Sequence, residues 1–83
     1  MPSIETLLAR MRSNPRGVRF RDAAHVASHF FGPPRVRGSH HFFSTPWVGD
    51  PMVNLQRDGD LAKPYQVRQL LSAIERLERE RNA

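Results

Sequence analysis

Apolar residues recur at two different periods, and the change from one to the other divides the chain. Ile4, Leu7, Leu8 and Met11 follow helical spacing behind Ser3, a good capping residue, with Glu5 in the first turn. Ser13-Asn14-Pro15-Arg16-Gly17 stops that helix. Ala23, Val26, Ala27 and Phe30 define one face of a second helix from Arg21 to Phe31, with His25, His29 and Asp22 on the other. Gly32-Pro33-Pro34 ends it, because proline cannot continue the hydrogen-bond ladder. The period then drops to two. Arg35–Arg37 reads as a strand with Val36 inward and both arginines outward. Gly38-Ser39 reads as a turn, His41–Thr45 as a second strand and Met52–Gln56 as a third. Pro46 to Pro51 is a proline-bounded loop, and Asp58-Gly59-Asp60 another turn. Pro64 suits the first position of a last helix, whose stripe is Val67, Leu70, Leu71, Ile74 and Leu77.

The expected order is helix, helix, three strands, helix. Short connections make the sheet antiparallel, and helices on one face give a two-layer α+β domain with the other face open to a ligand. A chain of 83 residues is a single domain, 1–83. Within it, 20–80 is the expected core and 1–14 an additional helix that either packs on the domain or stands beside it.

Composition narrows the chemistry. The chain has no cysteine, which rules out disulfides and thiolate metal sites and fits a reducing, cytoplasmic setting. Its first residues lack the basic and apolar regions of a signal peptide, and no apolar run is long enough to span a membrane. The net charge is +5, and all of the excess lies early: residues 1–37 hold seven arginines against Glu5 and Asp22. Arginine forks suit phosphate, and clustering favours a nucleic-acid partner. A GC-rich genome also gives arginine in place of lysine.

The stretch from Arg35 to Phe43 carries the candidate chemistry. His40 is the side-chain type suited to proton transfer near neutrality. Gly38 allows close backbone approach, and Ser39 adds a hydroxyl. A base that takes the 2′-hydroxyl proton and a cation that steadies the phosphate oxygens are enough to cleave RNA without a metal. His40 with Arg35 or Arg37 supplies both. His41 points to the opposite face of a strand and is assigned to packing or substrate contact. Taken alone, a tandem histidine reads slightly better as a solvated turn. Lys63 and Arg68 flank the start of the last helix, a natural phosphate site. Trp47 suits base stacking and core covering equally. No cofactor or metal is expected: His25 and His29 have metal-ligand spacing, but a solvated helix face explains them better.

Three stretches together resemble the HicA toxins of bacterial toxin–antitoxin pairs. They are Gly38-Ser39-His40-His41-Phe42-Phe43, Val53-Asn54-Leu55-Gln56, and Ala62-Lys63-Pro64-Tyr65-Gln66-Val67-Arg68-Gln69-Leu70-Leu71. The resemblance covers roughly residues 20 to 77. It implies a fold like that of a double-stranded-RNA-binding domain and the activity of an mRNA interferase, an endoribonuclease that arrests growth. It makes His40 the catalytic histidine. Arg35, Arg37, Gly38, Ser39, His41, Lys63 and Arg68 become the expected RNA contacts. The implied partners are mRNA and a HicB-like antitoxin covering the active site, with the toxin a monomer when free. Many members have a second histidine before the last helix, where this chain reads Gln56-Arg57-Asp58-Gly59-Asp60. Two alternatives stand beside the enzyme: a non-catalytic duplex-RNA-binding module, and a structural subunit whose arginine-rich front end docks an acidic protein.

Overall fold

A computed structural model describes residues 2–49 and 51–82; Met1, Asp50 in the expected proline-bounded loop, and Ala83 lie outside the described residues. Of three helices, α1 (Ile4–Ser13), α2 (Phe20–Phe31) and α3 (Pro64–Arg81), the last two pack on one face of a sheet and α1 packs against them. The strands are β1 (Arg35–Arg37), β2 (His40–Ser44), β3 (Met52–Asp58) and β4 (Leu61–Ala62). The sheet is antiparallel throughout, in the order β1-β2-β3-β4. The chain is therefore α+β, with helices on one side of an antiparallel sheet.

Each boundary has a local cause. The Ser3 hydroxyl accepts from the Thr6 amide at 3.1 Å and caps α1. Gly32, ahead of two prolines, closes α2. Gly38 sits at φ 59° in the two-residue connection between Arg37 and His40, a left-handed conformation that side chains rarely take. Gly59, at φ 63°, does the same between Asp58 and Leu61.

The structure corrects the expected outline in three places. The sheet has four strands where three were expected. The chain turns at Gly59-Asp60 and pairs Leu61 and Ala62 with Asp58 and Arg57, a strand too short to show any period. Val18–Phe20 continues alongside it: Ala62 N–H donates to the Val18 carbonyl at 2.9 Å, and Phe20 N–H to that of Asp60 at 2.8 Å. Second, α1 is not an addition to the core. Leu7, Leu8 and Met11 are buried in the same cluster as Val26, Phe43, Leu55, Val67, Leu70 and Ile74. Its stripe is narrow because it fills one groove between α2 and α3. Third, Val36 is on the helix-facing side, as expected, yet remains 54% exposed. β1 is the edge strand, and the helices pack beneath β2 and β3 rather than beneath it. No helix among the described residues is long and apolar enough to cross a membrane.

Candidate functional site

Strand alternation sorts the residues of β2 and β3. Phe43, Val53 and Leu55 face the helices and are buried. Their neighbours Phe42, Asn54 and Gln56 face the other way, as does His40. Directly opposed residues share a face in an antiparallel pair, so the register assembles two rows on the open side. One row is Arg37, His40 and Gln56; the next is Arg35, Phe42 and Asn54. Neighbouring strands are ~4.8 Å apart, so the two arginines, the imidazole and the two amides occupy one small patch.

Within that patch His40 is held in a defined pose. Its Nδ1 lies 3.2 Å from Asn54 Oδ1, and its ring stacks on Phe42 at 5.6 Å between centroids with 7° between planes. An amide oxygen only accepts, so in the neutral ring this contact fits the tautomer with the hydrogen on Nδ1 and the lone pair on Nε2. That is the tautomer a general base needs.

A second set of contacts ties the turn and the start of α3 to the same end of the sheet. Gln56 Nε2 donates to Ser39 Oγ at 3.4 Å. The Gln56 amide, past the end of the two-residue β4, donates to Gln66 Oε1 at 2.6 Å. Gln66 Nε2 donates back to Gln56 Oε1 at 3.3 Å and also lies 3.3 Å from the Tyr65 hydroxyl. Gln66 is the one polar residue buried with the core, at 1% exposure among the described residues. Its side chain takes the place a longer β4 would have held. A buried amide that meets its partners in this way costs little, and it fixes the helix against the strand.

The expected site residues therefore divide. Arg35, Arg37, Gly38, Ser39 and His40 come together at the β1–β2 hairpin. Lys63 caps α3, whose first turn is joined to this patch through Gln66. His41 does not belong with them. The period of two turns it to the helix side, where its ring meets Phe20 edge-on at 4.8 Å and its Nδ1 is buried with no hydrogen-bond partner among the described residues. Of its two expected roles, packing is the one that fits. Arg68 is also apart, in a groove with Arg12, Pro15 and Glu75 that shares no residue with the open face. Trp47 covers the core edge, 6.2 Å from the Phe31 ring and beneath the Arg76 guanidinium, with its indole N–H donating to Glu80. His25 and His29 are exposed on the outer side of α2. Among the described residues no three His, Asp or Glu side chains gather as metal ligands would.

Asn54, Phe42 and Gln66 do not stand out by residue type alone. The sign of Asn54 is its place between inward Val53 and Leu55, on a strand beside His40. The sign of Gln66 is a polar residue four positions before Leu70, on the apolar stripe of the last helix. The chain matches no protein-family model, no curated protein and no solved structure.

Proposed function

We propose that this protein is a ribonuclease with a fold like a double-stranded-RNA-binding domain, and that it acts as a HicA-like toxin cleaving mRNA in the cytoplasm. The observation that carries this reading is the pose of His40. It is an imidazole on an open sheet face, oriented by Asn54, with Arg37 beside it and Arg35 one row away. The run from α2 through β1, β2 and β3 to α3 has the helix, three strands and helix expected of such a domain, with β4 and α1 added.

In the proposed reaction Nε2 of His40 takes the proton from an RNA 2′-hydroxyl. The freed oxygen attacks the adjacent phosphorus, the bond from phosphorus to the 5′-oxygen breaks, and a 2′,3′-cyclic phosphate remains on one product. Arg35 and Arg37 offset the charge that grows on the phosphate oxygens. His41, on the opposite face, is not available as the acid, so the leaving 5′-oxygen takes its proton from water. The active protein is a monomer when free, and a HicB-like antitoxin silences it by covering the open face.

The test is a labelled RNA incubated with purified protein in a chelating buffer. The reading expects cleavage that leaves a 2′,3′-cyclic phosphate and that stops at a position carrying a single 2′-deoxy sugar. A salt-sensitive shift of the RNA without any cleavage would replace it with the binding-module reading.

A further inference from the structure

The hydrogen bonds around Gln66 have directions that fix the hydrogens at their far ends. The Gln56 backbone N–H can only donate, and it donates to Gln66 Oε1 at 2.6 Å. That contact decides which end of the Gln66 amide is the oxygen. Nε2 is therefore the end that lies 3.3 Å from Gln56 Oε1 and 3.3 Å from the Tyr65 hydroxyl. An amide NH2 group has two hydrogens and accepts nothing, so it donates to both. Gln56 Oε1 is then an acceptor, and Gln56 Nε2 donates onward to Ser39 Oγ at 3.4 Å.

The network ends in two hydroxyls, and both are used as acceptors. Each hydroxyl still has a hydrogen of its own. Among the described residues neither the Tyr65 nor the Ser39 hydrogen has an acceptor. Both are left to donate outward. Tyr65 is 52% exposed and Ser39 is exposed, so a ligand can reach either one.

These donors belong to the same patch as His40. Gln56 is the direct cross-strand partner of His40, and Ser39 precedes His40 in the chain. Across this end of the sheet the order is Arg37, His40, Gln56, and then the Gln66 side chain in place of a further strand. The Tyr65 oxygen lies beside that side chain. The phenol oxygen is thus roughly two strand spacings, about 10 Å, from the His40 position. We propose that the Tyr65 hydroxyl donates to a non-bridging oxygen of an RNA phosphate flanking the one presented to His40. This rests on the ribonuclease reading of His40. A phosphate oxygen only accepts, which is what the free hydrogen requires, and such contacts set the register of a strand without reading its bases. A strand held at His40 and Arg37 carries further phosphates along the same row. The hydroxyls add no charge of their own that would draw an acidic protein, so their place beside His40 is what favours RNA.

The experiment uses the full chain and a labelled RNA made uncleavable by a 2′-deoxy sugar at the cut position. Affinity is measured across a salt series for wild type and Tyr65→Phe, well below the melting temperature of each. Tyr65→Phe keeps the ring and removes only the hydroxyl, so binding should weaken about tenfold, as for one hydrogen bond to a charged group. The salt slope should stay unchanged, because a neutral donor releases no counterion. In the cleavable RNA the same change should raise KM and leave kcat near wild type. Single methylphosphonate linkages, in which a methyl group replaces one charged oxygen, are then placed in turn beside the cut position. At the linkage held by Tyr65, the penalty for Tyr65→Phe should fall below about twofold, as expected for two groups that interact directly.

Equal affinity of wild type and Tyr65→Phe overturns the proposal while the ribonuclease reading stands. If Tyr65→Phe binds as wild type does and Tyr65→Ala binds at least about fivefold more weakly, the ring stacks on a base and the phosphate contact is overturned. A Tyr65→Phe penalty that persists with a methylphosphonate at each flanking linkage overturns it too, since the hydroxyl then meets a base or a sugar. Absence of RNA cleavage by the wild type removes both readings together.

Discussion

The two faces of the sheet are made from alternate residues of the same strands. On one side Phe43, Val53 and Leu55 are buried beneath the helices; on the other Phe42, Asn54 and Gln56 stand open beside His40. The contrast is sharpest at the tandem histidine. His40 has an oriented ring with a hydrogen-bond partner at 3.2 Å, and His41 has a ring packed on Phe20 with its Nδ1 unpartnered among the described residues. The same side chain at adjacent positions thus has two fates, decided by the period of the strand rather than by residue type. The packed face supplies rigidity, and the open face holds the oriented imidazole on which the proposed chemistry rests.

The contrast can be broken from the packed side first. Phe43 is fully buried. Phe43→Ala should cost about 3–5 kcal/mol of stability, enough to leave a domain of this size largely unfolded by thermal or urea denaturation. From the open side, Asn54→Ala should leave the melting temperature near wild type. It should lower kcat by up to about 10²-fold with KM little changed, since only the orientation of His40 is removed. Parallel melting and kinetic measurements separate that outcome from general damage.

Gln66 belongs to both sides, being buried with the core yet bonded to Gln56. Gln66→Leu leaves the Gln56 amide without its acceptor and should destabilise by about 1–3 kcal/mol, read as a shifted urea midpoint. The smallest effect is expected at His41. His41→Phe keeps a ring against Phe20 and removes the unpartnered nitrogen, so stability should change by less than about 1.5 kcal/mol and RNA cleavage should be retained. A large loss of cleavage with an intact fold would place His41 in the chemistry and dissolve the contrast.

The helices and three strands were legible in the sequence because long amphipathic runs and clean alternation report burial directly. The turn residues Gly38 and Gly59 and the helix end at Gly32 were legible for a similar reason, since few other residues tolerate those conformations. What was not legible depends on neighbours distant in the chain. Two residues, Leu61 and Ala62, cannot show a period, so β4 was hidden. Whether the stripe of α1 meets the core or solvent depends on the groove between α2 and α3. Val36 has the right direction but no helix beneath it, a fact of the layer above the strand. At the candidate site, the place of His40 at the start of β2 was readable from the Gly38-Ser39 turn. Its partner Asn54 required the register of β2 on β3, and the Gln56–Gln66 pair required knowing that β4 ends early.

The most direct measurement compares three proteins in one RNA cleavage assay: wild type, His40→Ala and His41→Phe, each first shown to be folded by its melting curve. Loss of a general base predicts a rate about 10²–10⁴-fold lower for His40→Ala, while His41→Phe cuts as the wild type does. A folded His40→Ala protein that cleaves at the wild-type rate would contradict the assignment of the open face as the catalytic surface.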